Sequence, residues 1–405
     1  MEAIIGAKKM ELIHSDIRGP LFYEALEMQK QGKQVLKLNT GNPASFGFPM
    51  PESITKALEG QIGKALGYCD FRGMPEARQA ILDYHKSKGI CDIQADDIYV
   101  GNGVSEIVTF ALQALLDEGD EVLLPTPCYS LWSNGVRLCG GKPVFYLCDE
   151  ASDWMPDKKD MESKITGKTK AIVLINPNNP TGALYSDDVL REIADIARRH
   201  NLLVFSDEIY DRLVMDGLTH TSIASLALDI PVVTLNGLSK SHSLCGFRCG
   251  WMVISGPAHL TEQYKQYMVK LTSMRLCGNA VSQLVIPAAL KDMETPHSMI
   301  SPGGRVYEQR EVTVNALAKM ESISFVKNKA ALYIFPKLDI KKLNITDDRK
   351  FARDLLHATN ILIVPGSGFE WDVPDHFRIV MLPEVSVLKD AMERMGNFLD
   401  GYRQK

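Results

Sequence analysis

Short apolar runs alternate with amphipathic stretches between residues 95 and 255. Such continuous apolar runs, separated by helical patterns, are typical of a mostly parallel sheet that is buried on both faces and joined by right-handed crossovers. The sequence therefore predicts an α/β fold whose large domain holds a mostly parallel, seven-stranded sheet. The seven runs lie at 98–100, 121–124, 143–147, 171–175, 202–205, 232–235 and 250–254.

One of the intervening helices is marked at both ends. Ser186 is placed to cap its start and two aspartates follow, which suits the positive end of a helix dipole. A basic run at 198–200 precedes Asn201, a residue that often ends a helix in the left-handed conformation. We expect a helix over 187–200, and a second one from about residue 104 to 116.

Beyond residue 285 the pattern changes to helices mixed with short strands, as in "ALYIFPKL" and "HFRIVML". This mixture indicates a smaller α+β domain. The segment "QVLKLNTGNP" has the character of a connector, so we expect the first residues to pack with the small domain. The predicted boundaries are 46–284 for the large domain, and 1–45 with 285–405 for the small one.

The composition excludes several classes of partner. With 405 residues, 45% of them apolar, the chain is able to bury a large core. The net charge of -5 leaves no basic surplus for nucleic acid. No apolar run is long enough to span a membrane and the first residues lack the order of a secretory signal, so we expect a cytoplasmic protein. The eight cysteines show no zinc-site spacing, and we expect no metal.

Polar residues follow the apolar runs at the positions where ligands bind in open α/β sheets. The run at 98–100 leads into "GNGVSE", a glycine turn that opens a helix and offers backbone N–H groups to an anion. The run at 171–175 leads into "NPNNPTG", whose three asparagines exceed the needs of an ordinary turn. The remaining runs lead into "SDEIY" and "NGLSK".

The lysine of the last segment, Lys240, stands near an acid, a phenol and an anion site. An amine in a partly desolvated site has a lowered pKa and forms Schiff bases. Pyridoxal 5'-phosphate requires such a lysine, a carboxylate for its ring nitrogen and an anion site for its phosphate. We therefore expect this cofactor.

Two rival interpretations do not fit the sequence. An NTPase would need a GxxxxGK[ST] loop between a strand and a helix, but Gly167-Lys168-Thr169 lacks the first glycine and precedes a strand. A nicotinamide enzyme would need GxGxxG at the start of a helix, and the chain has no such motif after a strand.

Along nearly its whole length the sequence resembles the fold-type I pyridoxal-phosphate aminotransferases of class I and II. The resemblance is carried by "NPNNPTG", "SDEIY" and "GLSK", and by Arg248 in "GFR", eight residues after Lys240. It implies a homodimer whose active sites lie at the subunit interface and whose substrates are an amino acid and a 2-oxo acid.

The resemblance also implies roles for individual residues. Lys240 would be linked to the cofactor and would carry a proton between the substrate Cα and the cofactor. Asp207 would pair with the ring nitrogen. The other positions fall into four groups: Tyr210 and Asn179 at the phenolic oxygen, Tyr129 on the ring face, Val104, Ser105, Ser239, Arg248 and Tyr68 of the partner subunit at the phosphate, and Arg378, Gly41 and Asn179 at the substrate carboxylate. On pattern alone, Tyr68 and Tyr129 also suit core aromatics, and Arg378 also suits an ion pair in the small domain.

Three positions depart from the family pattern. Gly237 stands where many members carry Ser or Thr, which predicts a missing phosphate contact. Ala330 replaces the glycine of a "GALY" motif, so the sequence does not determine the backbone conformation of this turn. Met274 occupies the place of an arginine that binds a distal carboxylate in aspartate-specific members, and Arg275 is one position away.

Within the family the likeness is strongest to bacterial enzymes that exchange the amino group between alanine and glutamate. It implies the reaction of L-alanine with 2-oxoglutarate to give pyruvate and L-glutamate by a ping-pong mechanism. Another donor (aromatic, branched or methionine) and a C–S lyase remain alternatives. A non-catalytic regulator is a third alternative, although the basic winged-helix segment that such proteins carry is missing from this sequence.

Overall fold

The computed structural model describes residues 3–405, which contain fifteen strands and sixteen α-helices. The strands are Leu36–Lys37 (β1), Ile98–Asn102 (β2), Glu121–Thr126 (β3), Lys142–Asp149 (β4), Met155–Pro156 (β5), Thr169–Ile175 (β6), Leu203–Asp207 (β7), Val232–Gly237 (β8), Cys249–Ser255 (β9), Ile323–Ser324 (β10), Tyr333–Ile334 (β11), Lys337–Leu338 (β12), Ile361–Leu362 (β13), Val364–Pro365 (β14) and Phe377–Val380 (β15). The helices are Pro20–Lys30 (α1), Glu52–Glu59 (α2), Pro75–Ser87 (α3), Val104–Gln113 (α4), Ser130–Leu138 (α5), Lys158–Ser163 (α6), Asp187–His200 (α7), Ile223–Leu226 (α8), Ala258–Arg275 (α9), Ala280–Gln283 (α10), Ile286–Lys291 (α11), Glu294–Ile300 (α12), Arg305–Leu317 (α13), Ile340–Leu343 (α14), Asp348–Thr359 (α15) and Val385–Gly401 (α16).

The large sheet contains all seven predicted strands and confirms the α/β prediction. Its order is β2-β9-β8-β7-β6-β3-β4-β5. The pairs β8-β7, β7-β6, β6-β3 and β3-β4 are parallel, and β9 runs antiparallel to both of its neighbours. An eighth strand, β5, was missed by the sequence analysis because its two residues pair with the end of β4 without forming an apolar run.

Helices cover both faces of this sheet. Alternate residues of β6 enter two separate apolar cores, with Ile172 and Leu174 in one and Ala171 and Val173 in the other. Because side chains alternate along a strand, a sheet that is covered on both faces needs continuous apolar runs. This requirement explains the pattern from which the sheet was predicted.

The capping signals of the helix at 187–200 are confirmed. Ser186 Oγ accepts a hydrogen bond from Val189 N at 3.4 Å, and Asn201 adopts the left-handed conformation with φ of 55°. The helix predicted over 104–116 is α4, which ends earlier, at Gln113.

The small domain has its own apolar core, built from both ends of the chain. Residues of α1 join residues of α15 and α16 in one buried cluster, and β1 pairs in parallel with β13. The buried residues of α11 belong instead to a core of the large domain, and this helix packs on α2 and α3. We therefore propose that the large domain continues to about Lys291. No helix within residues 3–405 is long and apolar enough to cross a membrane.

Candidate active site

A cavity of about 190 Å³ opens at the carboxyl ends of the parallel strands, between the two domains. Because these strands run in one direction, the segments that follow them meet at one edge of the sheet. Eleven of the twelve predicted site residues line this cavity, and Tyr68 does not. The eleven are Gly41, Val104, Ser105, Tyr129, Asn179, Asp207, Tyr210, Ser239, Lys240, Arg248 and Arg378.

Lys240 follows β8 by three residues and extends its amine into the cavity. Its Nζ donates to the carbonyl oxygen of Gly41 at 2.6 Å and lies 3.9 Å from Cys245 Sγ. Burial favours the neutral amine, but the ionisable groups of Tyr333, Cys245 and Tyr129 outweigh this effect and raise the pKa of Lys240. The lowered pKa expected from the sequence is therefore wrong for the free amine.

Asp207 ends β7 and is almost completely buried. Its carboxylate accepts hydrogen bonds from Trp132 Nε1 at 3.1 Å and from the backbone N–H of Ile209 at 3.3 Å. Burial raises the pKa of this carboxyl to about 6, against the opposing effect of these two donors. A buried carboxyl of this kind is stabilised in its charged form when a cation binds beside it.

The start of α4 and Arg248 present hydrogen-bond donors at the same side of the cavity. The helix begins at Val104 without a capping side chain, so its first N–H groups are free to bind an anion. Arg248 Nη2 donates to Ser105 Oγ at 3.4 Å. Gly103 has φ of 84°, and a Cβ there would lie 2.4 Å from the same Nη2 atom. A glycine is therefore required for Arg248 to reach the helix start.

Arg378 reaches the opposite side of the cavity from β15 and is fully buried. Its Nη1 donates to Asn179 Oδ1 at 3.0 Å, and its Nη2 donates to the Asn39 carbonyl. The guanidinium lies 4.5 Å from the ring centroid of Tyr333 and 4.7 Å from that of Phe369. Its Nε is buried without a partner, so this side chain has donor capacity left for a carboxylate. No acidic side chain is among its partners in the described residues, which leaves the alternative of an ion pair unsupported.

The three asparagine side chains of "NPNNPTG" make different contacts. Asn176 Oδ1 accepts from Tyr185 N at 2.9 Å, and Asn178 Oδ1 accepts from the hydroxyl of Thr181 at 2.9 Å. Both of these side chains hold the loop in shape, and of the three only Asn179 lines the cavity. Two of the three amides therefore serve the loop itself, and Asn179, the one named as a candidate site residue, lines the cavity.

A buried charge cluster of Lys88, Glu208 and Asp211 holds the segment that follows Asp207. Lys88 Nζ donates to Glu208 Oε2 and to Asp211 Oδ2, each at 2.9 Å. Burial opposes the charge of Lys88, but the two carboxylates outweigh it and raise the pKa of this lysine. Glu208 and Asp211 lie close enough to His220 to share a cation, and the ammonium of Lys88 already bonds to both acids.

Three residues near the cavity were missed by the sequence analysis. Tyr333 and Cys245 line it, and Trp132 lies behind it as the donor to Asp207. Trp132 comes three residues after Tyr129, a spacing that places both side chains on one face of a helix start. That spacing was the available signal. Tyr333 ends the motif that begins at Ala330, and it lies within an apolar run that indicates a strand, but neither feature assigned it to the site.

Tyr68 and Arg275 lie outside the cavity. Tyr68 is 83% exposed on the surface of this chain. Arg275 pairs with Glu106, and its Nη2 donates to the carbonyls of Phe71 and Val100 at 3.1 and 3.2 Å. The two terminal nitrogens of Arg275 are thus occupied within the large domain, and its Nε is buried without a partner.

The two small-residue departures have structural reasons. Gly237 pairs with Gly250 between β8 and β9, and a Cβ at position 237 would lie 2.6 Å from the Cys249 carbonyl oxygen. A hydroxyl-bearing residue therefore has no room there. Ala330 lies outside the positive-φ region, so it needs no glycine, and it is Ala331 that is left-handed, with φ of 64°.

The sequence matches the family described as "Aminotransferase class I and II" over residues 33–395. The chain belongs to this family. A similar curated protein is "Glutamate-pyruvate aminotransferase AlaA" of Haemophilus influenzae, 49% identical over 98% of each chain. Among solved structures, an aminotransferase from Escherichia coli is 47% identical over the whole of both chains, with a TM-score of 0.98. An alanine aminotransferase from Pyrococcus furiosus is 38% identical over 98% of this chain and all of its own, with a TM-score of 0.93.

Enzymes of this family depend on pyridoxal 5'-phosphate, and the cavity of this aminotransferase suits that cofactor. Asp207 is a buried carboxyl that forms no salt bridge with any described residue, which leaves it available to the ring nitrogen. The start of α4 and Arg248 offer donors to a phosphate on one side, and the amine of Lys240 projects into the same cavity. The substrates of this aminotransferase are an amino acid and a 2-oxo acid.

Proposed function

We propose that this aminotransferase transfers the amino group of L-alanine to 2-oxoglutarate, giving pyruvate and L-glutamate in a ping-pong cycle. The observation that carries the choice of substrates is the full-length similarity to relatives named for glutamate, pyruvate and alanine. The convergence of Lys240, Asp207 and Arg378 on one cavity supports the reaction type.

The substrate is held at its carboxylate in the proposed complex. Arg378 presents a buried guanidinium that is fixed by Asn179 and by two aromatic rings. A carboxylate would accept two parallel hydrogen bonds from such a fork. The Gly41 backbone borders the same space. This carboxylate contact would place the substrate Cα between Arg378 and the amine of Lys240.

Lys240 moves the proton at that Cα. Its amine is held at the Gly41 carbonyl in the free protein, and it becomes a base once it has lost its proton. When bound, pyridoxal 5'-phosphate supplies an electron-withdrawing ring that stabilises the charge left on the carbon. Asp207 would keep the ring nitrogen protonated, and Tyr210 with Asn179 would bond to the phenolic oxygen. Tyr129 would stack on the ring.

The phosphate is held by the start of α4 in this proposal. The N–H groups of Val104 and Ser105 and the hydroxyl of Ser239 would donate to it, and Arg248 would neutralise its charge. The same groups would hold the cofactor in both halves of the cycle, with L-alanine as the substrate of the first half and 2-oxoglutarate as the substrate of the second.

We also propose a cytoplasmic homodimer in which Tyr68 reaches the phosphate of the partner's site. Leu66, Tyr68 and Met274 are 90%, 83% and 76% exposed. The two segments that carry them are brought together, because helix α10, a few residues after Met274, packs on the turn that precedes Leu66. Neighbouring apolar side chains with such exposure indicate an interface between proteins. All eight cysteines are free thiols, as is usual in a reducing compartment.

Steady-state rates over a panel of amino donors, each with 2-oxoglutarate, test the assignment. We expect L-alanine to give the highest kcat/KM, above aromatic and branched donors and methionine, with no ammonia released. A higher value for another donor would transfer the assignment to that donor, and ammonia release from cysteine conjugates would indicate a C–S lyase.

The role of Lys240 is tested by Lys240→Ala, with the exposed Lys33→Ala as a matched control. Loss of a positioned base costs about 10²- to 10⁴-fold in rate, and the variant also loses the covalent link to the cofactor. We expect turnover to disappear while cofactor binding persists, and Lys33→Ala to match the wild type. Substantial turnover by Lys240→Ala would contradict the mechanism.

A further inference from the structure

Tyr333 connects the two halves of the cavity. It lies on β11 of the small domain, next to β15, which carries Arg378. Its hydroxyl is 2.8 Å from the hydroxyl of Tyr210 in the large domain, and the two rings meet edge to face at 5.7 Å. Tyr333 is buried and lines the cavity, so this contact lies within the active site.

Two further contacts fix the position of the Tyr333 ring. The guanidinium of Arg378 lies over its face at 4.5 Å. A Cβ at Gly41 would lie 2.1 Å from the Tyr333 hydroxyl oxygen, so the ring packs directly against the residue whose carbonyl accepts from Lys240. Tyr333 is thus held between the group that would bind the substrate carboxylate and the group that holds the amine.

The backbone that leads to Tyr333 is attached to the large domain. Met215 N donates to the Lys329 carbonyl, and Ala331 N donates to the Leu213 carbonyl, each at 2.9 Å. Ala331 is left-handed, a conformation that a residue with a side chain keeps only where its surroundings enforce it. The position of the Tyr333 hydroxyl therefore follows the large domain, where Tyr210 lies.

We propose that Tyr333 is a positioning residue that donates a hydrogen bond to Tyr210 and so directs the single hydroxyl proton of Tyr210 toward the phenolic oxygen of the cofactor. The proposal rests on the cofactor placement given under the proposed function. Tyr210 has one proton to donate, so when it donates to the cofactor its oxygen is left to accept. The Tyr333 hydroxyl at 2.8 Å fills that acceptor position, and a chain of hydrogen bonds strengthens each of its members.

The test is Tyr333→Phe, read by the absorbance of the cofactor-loaded enzyme against pH, without any amino donor. A hydrogen bond to the charged phenolic oxygen favours the deprotonated form of the lysine-linked cofactor. Weakening this bond should therefore raise the spectral pKa, by roughly 0.3 to 1 unit. Tyr307→Phe is the matched control, since Tyr307 packs on the same apolar cluster but does not line the cavity.

A double variant separates action through Tyr210 from any other effect. Tyr333→Phe should shift the spectral pKa in the wild-type background and cause no further shift in a Tyr210→Phe background. An unchanged spectral pKa in Tyr333→Phe would overturn the proposal, and so would an equal shift in both backgrounds. Removal of one oxygen preserves the ring, and the thermal midpoint of each variant verifies the fold. Because no donor is added, a negative result leaves the choice of alanine standing.

Discussion

Replacement of Asp207 by Asn should raise the free energy of unfolding of the cofactor-free protein and lower that of the cofactor-loaded protein, relative to the wild type. In the free protein the carboxyl forms no salt bridge among the described residues, and burial raises its pKa from 3.8 to about 6. At neutral pH the fold therefore holds a carboxylate that would be more favourable in water. An amide of the same shape carries no charge and avoids this cost.

The size of the stability difference between the cofactor-free variant and the wild type follows from the pKa shift and from one lost hydrogen bond. At about 1.4 kcal/mol per pKa unit, the shift corresponds to roughly 3 kcal/mol of destabilisation above pH 6. The amide cannot accept both from Trp132 and from the Ile209 N–H, and the loss of one acceptor costs about 1 kcal/mol. We expect the cofactor-free variant to be more stable than the wild type by about 1 to 2 kcal/mol at pH 7.5.

The pH dependence of this difference has a defined sign. The raised pKa means that the folded wild type binds more protons than the unfolded chain between pH 4 and 6, so its stability falls as the pH rises through that window. The advantage of Asp207→Asn should accordingly grow from pH 4 to about pH 7 and then level off.

The assay is urea and thermal unfolding of the cofactor-free protein at several pH values, repeated with bound cofactor. With cofactor the order should reverse, because Asn cannot pair with the ring nitrogen as a carboxylate does. The exposed Asp92→Asn is the control and should match the wild type in both forms. The reasoning is refuted if the cofactor-free Asp207→Asn variant is less stable than the wild type at pH 7.5. It is also refuted if cofactor binding stabilises the variant as much as it stabilises the wild type.

Further substitutions test other parts of the site. Arg378→Lys loses the planar fork, so KM for alanine should rise by about 10-fold or more while the cofactor absorbance is unchanged; the exposed Arg353→Lys should leave KM as in the wild type. Gly237→Ser forces a side chain against the Cys249 carbonyl and should lower stability by about 1 to 3 kcal/mol, measured by urea unfolding. Tyr68→Ala should weaken cofactor binding, and an unaltered cofactor affinity would remove Tyr68 from the site. When Tyr68→Ala subunits are mixed with inactive Lys240→Ala subunits, each heterodimer should keep only one intact phosphate site.

The sheet and the strand-end residues were predictable because one physical requirement produces both signals. A sheet covered on both faces needs continuous apolar runs, and its parallel direction brings the segments after those runs together. Asp207 and Lys240 were therefore located by their position after a run. The short strand β5 and the attachment of α11 to the large domain gave no such signal, because they depend on pairing and packing between distant segments.

The chemistry inside the cavity was less predictable than its location. Asn176 and Asn178 have the same side chain as Asn179, so the residue type alone does not tell which amide lines the cavity; the family resemblance named Asn179, and the folded loop shows why the other two do not line it. The pKa of Lys240 is set by Tyr333, Cys245 and Tyr129, which come from separate elements. Their combined effect reverses the direction that burial alone would give.

The most direct test of the central claim is the absorbance of the purified, cofactor-loaded enzyme as substrates are added in turn. Addition of L-alanine alone should abolish the band of the lysine-linked cofactor, and subsequent addition of 2-oxoglutarate, after removal of pyruvate, should restore it. A band that L-alanine leaves unchanged, while another amino acid abolishes it, would contradict the assignment of alanine as the donor.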